Sequence, residues 1–213
     1  MNTKRHHPYI YIVDDEDEVR NSLSFLMRVA GYQSKKFATA EEFIDYADPG
    51  IRGCLILDIR LPGASGLELQ QILRDRGVEI PIIFLTGHGD VPMSRQAFRT
   101  GAVDFIEKPC NDDILLAAVL EALEHDAAKA HEQEARAEVS ARYERLSRRE
   151  RQIMGLVVQG LSSKQIGKQL FISNRTVEVH REHIMQKMEA ESLSALIAMG
   201  LELGILEKPA TTA

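Results

Sequence analysis

"GCLILDIRLPGASG", residues 53–66, contains an apolar run, Cys54–Leu57, that stops abruptly at Asp58. Arg60, Pro62 and the turn glycines Gly63 and Gly66 follow. A short apolar run bounded by turn residues reads as a strand buried on both faces. A carboxylate at its end is costly unless it is paired or bound to a metal. Some other part of the chain must therefore meet Asp58.

Outward from this strand, the first 125 residues alternate between two periodicities. Strand-like runs are "YIYIV" (9–13), "YQSKKF" (32–37), "CLILD" (54–58), "PIIFLT" (81–86) and "AVDFI" (102–106). Helix-like stretches lie between them, near 17–30, 40–47, 65–76, 91–100 and 111–125, and Thr39 is placed to cap the second. Strands alternating with helices predict βαβ units, hence an α/β fold with a parallel sheet covered on both faces. In such sheets the site lies outside the carboxyl ends of the strands.

Those ends carry an unusual set of groups. The first strand ends in Asp14 and Asp15, the third in Asp58 and the fourth in Thr86, and the fifth is followed by Lys108 and Pro109. Each alone is explained by a helix cap or a loop; their order at four strand ends is harder to obtain by chance. Three carboxylates on one edge repel and raise one another's pKa. A hard divalent cation relieves that conflict, and oxygen ligands with water positions to spare suit Mg²⁺, with Mn²⁺ able to replace it. Lys108 supplies a point charge for a phosphoryl oxygen, Thr86 a hydroxyl for another, and the "TGHGD" turn allows close backbone approach. Metal, cation, donor and a carboxylate nucleophile, Asp58, together are the equipment of phosphoryl transfer.

"IVDDED", "LILDIRLPGASGLEL", "IIFLTGHGDV" and "GAVDFIEKP" resemble the receiver domain of two-component response regulators over roughly residues 8–125. The resemblance implies a flavodoxin-like, doubly wound, five-stranded parallel sheet. It also implies that Asp58 takes a phosphoryl group from a sensor histidine kinase. Asp15, Asp58 and the Arg60 backbone carbonyl would bind Mg²⁺ directly, and Asp14 through water. Lys108 and Thr86 would contact the phosphoryl group, and Phe105 would be the switch aromatic that moves with Thr86. Cys110 departs from the pattern, standing where family members often have Phe.

Composition bounds the rest. The chain has 213 residues, net charge −6 and two cysteines without a CxxC pair, which fits a reducing compartment. The first apolar run is too short for a signal peptide, and no stretch reaches the roughly 18 apolar residues of a membrane span, so a cytoplasmic protein without a membrane partner is expected. No GxGxxG, P-loop or nucleophile elbow supports a conventional enzyme. The charge is uneven: residues 147–188 hold eight basic against three acidic residues, a patch able to meet phosphate.

"EALEHDAAKAHEQEARAEVSARYER" (121–145) lacks Pro and Gly and reads as a helical linker continuing the helix before it. The expected domains are therefore 1–125, a linker over 126–145, and 146–213. The last reads as four short helices, with capping boxes at "SRRE" (147–150) and "SSKQ" (162–165), N-caps at Ser173 and Ser192, and ends at Gly160 and Gly204. The "EKPATTA" tail is expected to fray. Residues 162–188 form helix, short turn, helix, the arrangement whose second helix enters the major groove. On that second helix Val177, His180, Ile184 and Met188 should pack inward. Arg175, Glu178, Val179, Glu182 and Gln186 face out, with Thr176 also among the DNA-facing residues. Glu can accept from cytosine N4, and Val can touch a thymine methyl. Lys164, Arg181 and Lys187 are placed to meet phosphates.

The run from "LSRRERQIMGLVVQG" to "MEAESLSALI" resembles the LuxR-type helix-turn-helix, and the whole chain resembles a response regulator of the FixJ/NarL family. That implies a phosphorylation-dependent transcriptional regulator, usually an activator, that dimerises on phosphorylation, binds promoter double-stranded DNA and recruits RNA polymerase. The receiver would assist only its own phosphorylation and dephosphorylation. The alternative is a receiver-based phosphate sink or protein-interaction module without DNA binding, to which the two outward glutamates point.

Overall fold

The structure is a computed structural model that describes residues 8–87 and 101–205. The helix expected near 91–100, most of the "TGHGD" turn and the "EKPATTA" tail lie outside the described residues. The chain divides into two compact units between Lys129 and Ala130.

In the first unit the strands are β1 (Tyr9–Val13), β2 (Ser34–Phe37), β3 (Gly53–Asp58), β4 (Ile82–Thr86) and β5 (Asp104–Glu107). They form one parallel sheet in the order β2-β1-β3-β4-β5. The order reverses at β1, and β1 and β3 are adjacent, so the carboxyl ends holding Asp14 and Asp58 lie side by side. Helices α1 (Asp17–Val29), α2 (Ala40–Tyr46) and α3 (Gly66–Asp75) follow the first three strands. The long α4 (Asp112–Glu144) follows the last.

Alternate residues of each central strand serve opposite faces. Tyr11, Val13, Leu55, Leu57 and Phe84 pack with Phe43 of α2 and Leu69 and Leu73 of α3. Ile10, Ile12, Cys54, Ile56, Ile83 and Leu85 pack with Leu23 and Met27 of α1 and Leu115, Val119 and Ala122 of α4. Burial on both faces is why β3 reads as an unbroken apolar run.

The second unit holds α5 (Arg148–Val158), α6 (Ser163–Leu170), α7 (Asn174–Met188) and α8 (Leu193–Glu202). Ser147 and Ser162 close capping boxes with Glu150 and Gln165, and Ser173 and Ser192 cap α7 and α8. Their apolar stripes meet in one core that includes Ile153, Met154, Ile166, Val177, Ile184 and Met188. Gly167 permits the tight return from α6 into α7, because a Cβ there would stand 2.8 Å from the Ile172 carbonyl oxygen.

The stretch read as a linker is shared by the two units. Asp126, within α4, is buried against the first; Val139 and Tyr143, further along the same helix, join the core of the second. Isolated apolar residues among Ala, Glu and Arg conceal that second attachment from a periodicity reading.

Candidate functional site

At the carboxyl edge of the sheet the sequence-predicted groups converge. Asp14 and Asp58 are buried, at 1% and 7% exposure, while Asp15 is exposed. Carboxylate oxygens of all three lie within 4.8 Å of one another. The Lys108 ammonium bridges two of them, donating to Asp14 at 2.6 Å and Asp58 at 2.9 Å. Burial opposes its charge, but hydrogen bonds and charge from Asp14 and Asp58 outweigh burial and hold its pKa above the usual lysine value.

Local structure fixes each group. Asp58 accepts from the Arg60 backbone N–H at 3.0 Å, which turns the chain out of β3. Gly66 lies so close to the Asp58 carbonyl that a Cβ would stand 2.3 Å from its oxygen, so the loop closes only with glycine there. Glu41 of α2 accepts from the Ala64 N–H at 3.4 Å and holds the far side of that loop. Thr86, fully buried, ends β4, and its carbonyl accepts from the Lys108 N–H at 2.6 Å. Phe105 is half-buried on β5, its ring 6.5 Å from that of Phe84. Cys110 is half-buried, and burial pushes its thiol up, away from the reactive thiolate form.

One contributor escapes the sequence reading. Arg20 of α1 is buried and donates to the Asp14 backbone carbonyl and to the Asp17 carboxylate. The signal available was an arginine on the inward side of an otherwise apolar helix face.

The donor set suits a hard cation: carboxylate oxygens only, converging, with one ligand open to water. Among the described residues, Asp14, Asp15 and Asp58 are the side chains grouped closely enough to hold a divalent cation.

In the second unit, α6, the turn at 171–173 and α7 form the expected helix-turn-helix. Val177, Ile184 and Met188 are buried. His180 is half-buried, and its Nδ1 is buried without a hydrogen-bond partner among the described residues. Arg175, Thr176, Glu178, Val179, Glu182 and Gln186 are exposed, as is Lys164 on α6. Thr176 is also committed to the helix cap through Ser173, at 2.8 Å between hydroxyls.

Two basic residues expected at phosphates are turned to other partners. Lys187 donates to both oxygens of Glu150 on α5, at 2.9 and 2.7 Å. Arg181 is half-buried and donates to Ser163 Oγ at 3.3 Å. Each lies where the helix face turns inward, and a long side chain there finds a buried acceptor before it finds solvent.

Comparison with known proteins supports both halves. Residues 10–120 match the family described as the response regulator receiver domain, and residues 144–200 that of the bacterial regulatory proteins, luxR family. The transcriptional regulatory protein FixJ of Azorhizobium caulinodans is 44% identical over 92% of this chain and 93% of its own length. FixJ of Rhizobium meliloti is 45% identical over 92% and 96%. Among solved structures, the response regulator StyR superposes with a TM-score of 0.82 at 38% identity, covering 92% of this chain and 98% of that one. No helix among the described residues is long and apolar enough to cross a membrane.

Proposed function

The chain belongs to the two-component response regulators of the FixJ type, with a receiver domain and a LuxR-type output domain, and from that membership we propose how its residues divide the work. It is a transcriptional regulator of a family switched by kinase-driven phosphorylation.

Asp58 is the phosphoacceptor. One carboxylate oxygen attacks the phosphorus of a kinase phosphohistidine; the P–N bond breaks as the P–O bond forms, and the imidazole leaves with the bonding pair. Asp15, Asp58 and the Arg60 backbone carbonyl would hold Mg²⁺, with Asp14 supporting it through water. The ion, when bound, offsets the negative charge of the carboxylates and the incoming phosphoryl group. The Lys108 ammonium, already between Asp14 and Asp58, turns to a phosphoryl oxygen. Thr86 donates to another, and Phe105 follows into the space Thr86 leaves, a population shift toward the active state.

The acyl phosphate is lost by hydrolysis and Asp58 is restored, so the receiver acts as a switch rather than a turnover enzyme. In the active state the chain dimerises and α7 enters the major groove, with half-sites about one helical turn apart. Recruitment of RNA polymerase follows from the bound dimer. The phosphate-sink alternative loses ground because residues 144–200 match a family of bacterial regulatory proteins.

The observation that supports this best is the Lys108 ammonium held between Asp14 and Asp58 at the edge of the parallel sheet. The test is labelling by acetyl phosphate. Wild type should label only with Mg²⁺, and Asp58→Asn should not label. Persistent labelling of that variant places the phosphosite elsewhere.

A further inference from the structure

The outward face of α7 is less basic than its sequence suggests. Lys187 is bound to Glu150, and Arg181 is half-buried on Ser163. Arg175 remains exposed, with no ion pair among the described residues. One and two turns along stand Glu178 and Glu182, both exposed, and neither carboxylate has an ion pair or hydrogen bond among the described residues. Val179 lies beside Glu178 and is 43% exposed. The face therefore presents carboxylate, isopropyl and carboxylate at positions i, i+1 and i+4.

A free carboxylate carried toward a polyanion is repelled unless it meets a donor. In the major groove guanine offers only acceptors, N7 and O6, and thymine offers O4 and a methyl. Adenine offers an N6 amino donor, but the N7 acceptor beside it opposes a carboxylate. Cytosine offers its N4 amino group with no acceptor on the same base edge. A carboxylate therefore favours cytosine, tolerates adenine and rejects guanine and thymine. An exposed isopropyl group selects the thymine methyl.

We propose that Glu178 and Glu182 are specificity-determining residues that select cytosines in the operator half-site, with Val179 selecting a neighbouring thymine. The proposal rests on the reading of α7 as the recognition helix. Four residues of helix rise about 6 Å. That is close to two base steps of about 3.4 Å each, so the two cytosines lie about two steps apart. The carboxylates also work by exclusion. On a wrong sequence they face acceptors and phosphates, so they lower non-specific affinity and widen the gap to the correct site.

The experiment uses the full chain, phosphorylated with acetyl phosphate and Mg²⁺, and selects binders from a pool of randomised duplexes at fixed salt. The wild-type motif should carry two cytosines and a thymine in each half-site. Glu182→Gln should lose one cytosine preference, by about tenfold over the competing bases, in favour of adenine, which Gln can grip in bidentate fashion. Its affinity for non-specific duplex should rise. Glu178→Gln should do the same at the other cytosine, and Val179→Ala should relax the thymine. If a glutamine variant fails to fold, the alanine variant at that position serves instead. A merely structural role lowers specific and non-specific binding together, whereas the proposal moves them in opposite directions. Identical motifs for wild type and both glutamate variants would overturn the assignment and leave DNA binding standing. Failure of the wild type to enrich any sequence would overturn the DNA-binding reading itself.

Discussion

Lys187, in the last turn of α7, sets its ammonium against both oxygens of Glu150, a residue 3% exposed on α5. The same carboxylate accepts from the Ser147 N–H at 2.7 Å, so it caps α5 and anchors the recognition helix at once. Lys187→Met leaves a buried charge without its cation and should destabilise the unit by about 2 kcal/mol. Affinity should fall alike on all DNA sequences, because the helix it anchors loosens. The salt dependence should stay as in wild type, whereas loss of a phosphate contact lowers the slope by about 1. Titrations at several salt concentrations decide: a slope reduced by that amount returns Lys187 to the phosphate contacts.

The same pair gives the second unit an acid limit. Burial would raise the Glu150 pKa, but the Lys187 ammonium and the Ser147 N–H and hydroxyl outweigh it and hold the carboxyl at about 2, against an ordinary 4.5. A carboxyl depressed on folding adds stability above its unfolded pKa and loses it as pH falls through the folded one. The contribution should be complete above about pH 5 and drain away between 4.5 and 2. Hydrogen-exchange protection of the α7 amides, followed down in pH on the full chain, should fall in that window. Glu150→Gln should flatten the fall; an unchanged profile in that variant assigns the acid limit to other groups.

The sheet edge was legible in the sequence because each apolar strand stops on a group that apolar strands do not need: Asp14, Asp58, Thr86. The helix caps were legible because Ser-x-x-Glu and Ser-x-x-Gln meet their own backbone within one turn. The direction of Lys187 was not. It lies between Ile184, which is buried, and Gln186, which is exposed, and a four-carbon stem can turn either way from that border. Its partner sits 37 residues away, on a helix whose packing the local pattern does not give. Arg20 was half legible: Asp17 three residues before it marks a local ion pair, but its second acceptor, the Asp14 backbone carbonyl, carries no residue signature.

Gly66 tests how tightly the loop after β3 is drawn onto the site. A Cβ at that position would stand 2.3 Å from the Asp58 carbonyl oxygen and 3.0 Å from Ile59 Cα, both backbone atoms that cannot swing aside. Gly66→Ala should therefore shift the β3–α3 loop and displace Asp58, costing about 1–3 kcal/mol. Acetyl-phosphate labelling should fall steeply even where the variant stays folded. Wild-type labelling rates in a folded Gly66→Ala chain show that the loop relaxes without moving the carboxylate.

At the far end of β3 the strand meets a buried carboxylate of α4, and this contact holds the long helix in place. Asp126 of α4 is 6% exposed and accepts from Arg52 Nε at 3.1 and 3.0 Å and from the Gly53 N–H at 3.1 Å. The Arg52 guanidinium also donates to the Asp126 backbone carbonyl at 3.1 Å. Asp126→Ala strands a buried N–H at the first residue of β3 and leaves Arg52 Nε without its carboxylate acceptor, so it should cost about 2–3 kcal/mol. Asp126→Asn keeps one acceptor oxygen and should cost about half as much. Because the damage lies at the end of the strand opposite Asp58, acetyl-phosphate labelling of the folded fraction should hold near wild type. Hydrogen-exchange protection along residues 122–129 should fall, and in a double-mutant cycle Arg52→Ala should add little on top of Asp126→Ala. Full additivity of the two substitutions shows instead that the Asp126 carboxylate acts through Gly53 and that the guanidinium acts independently of it.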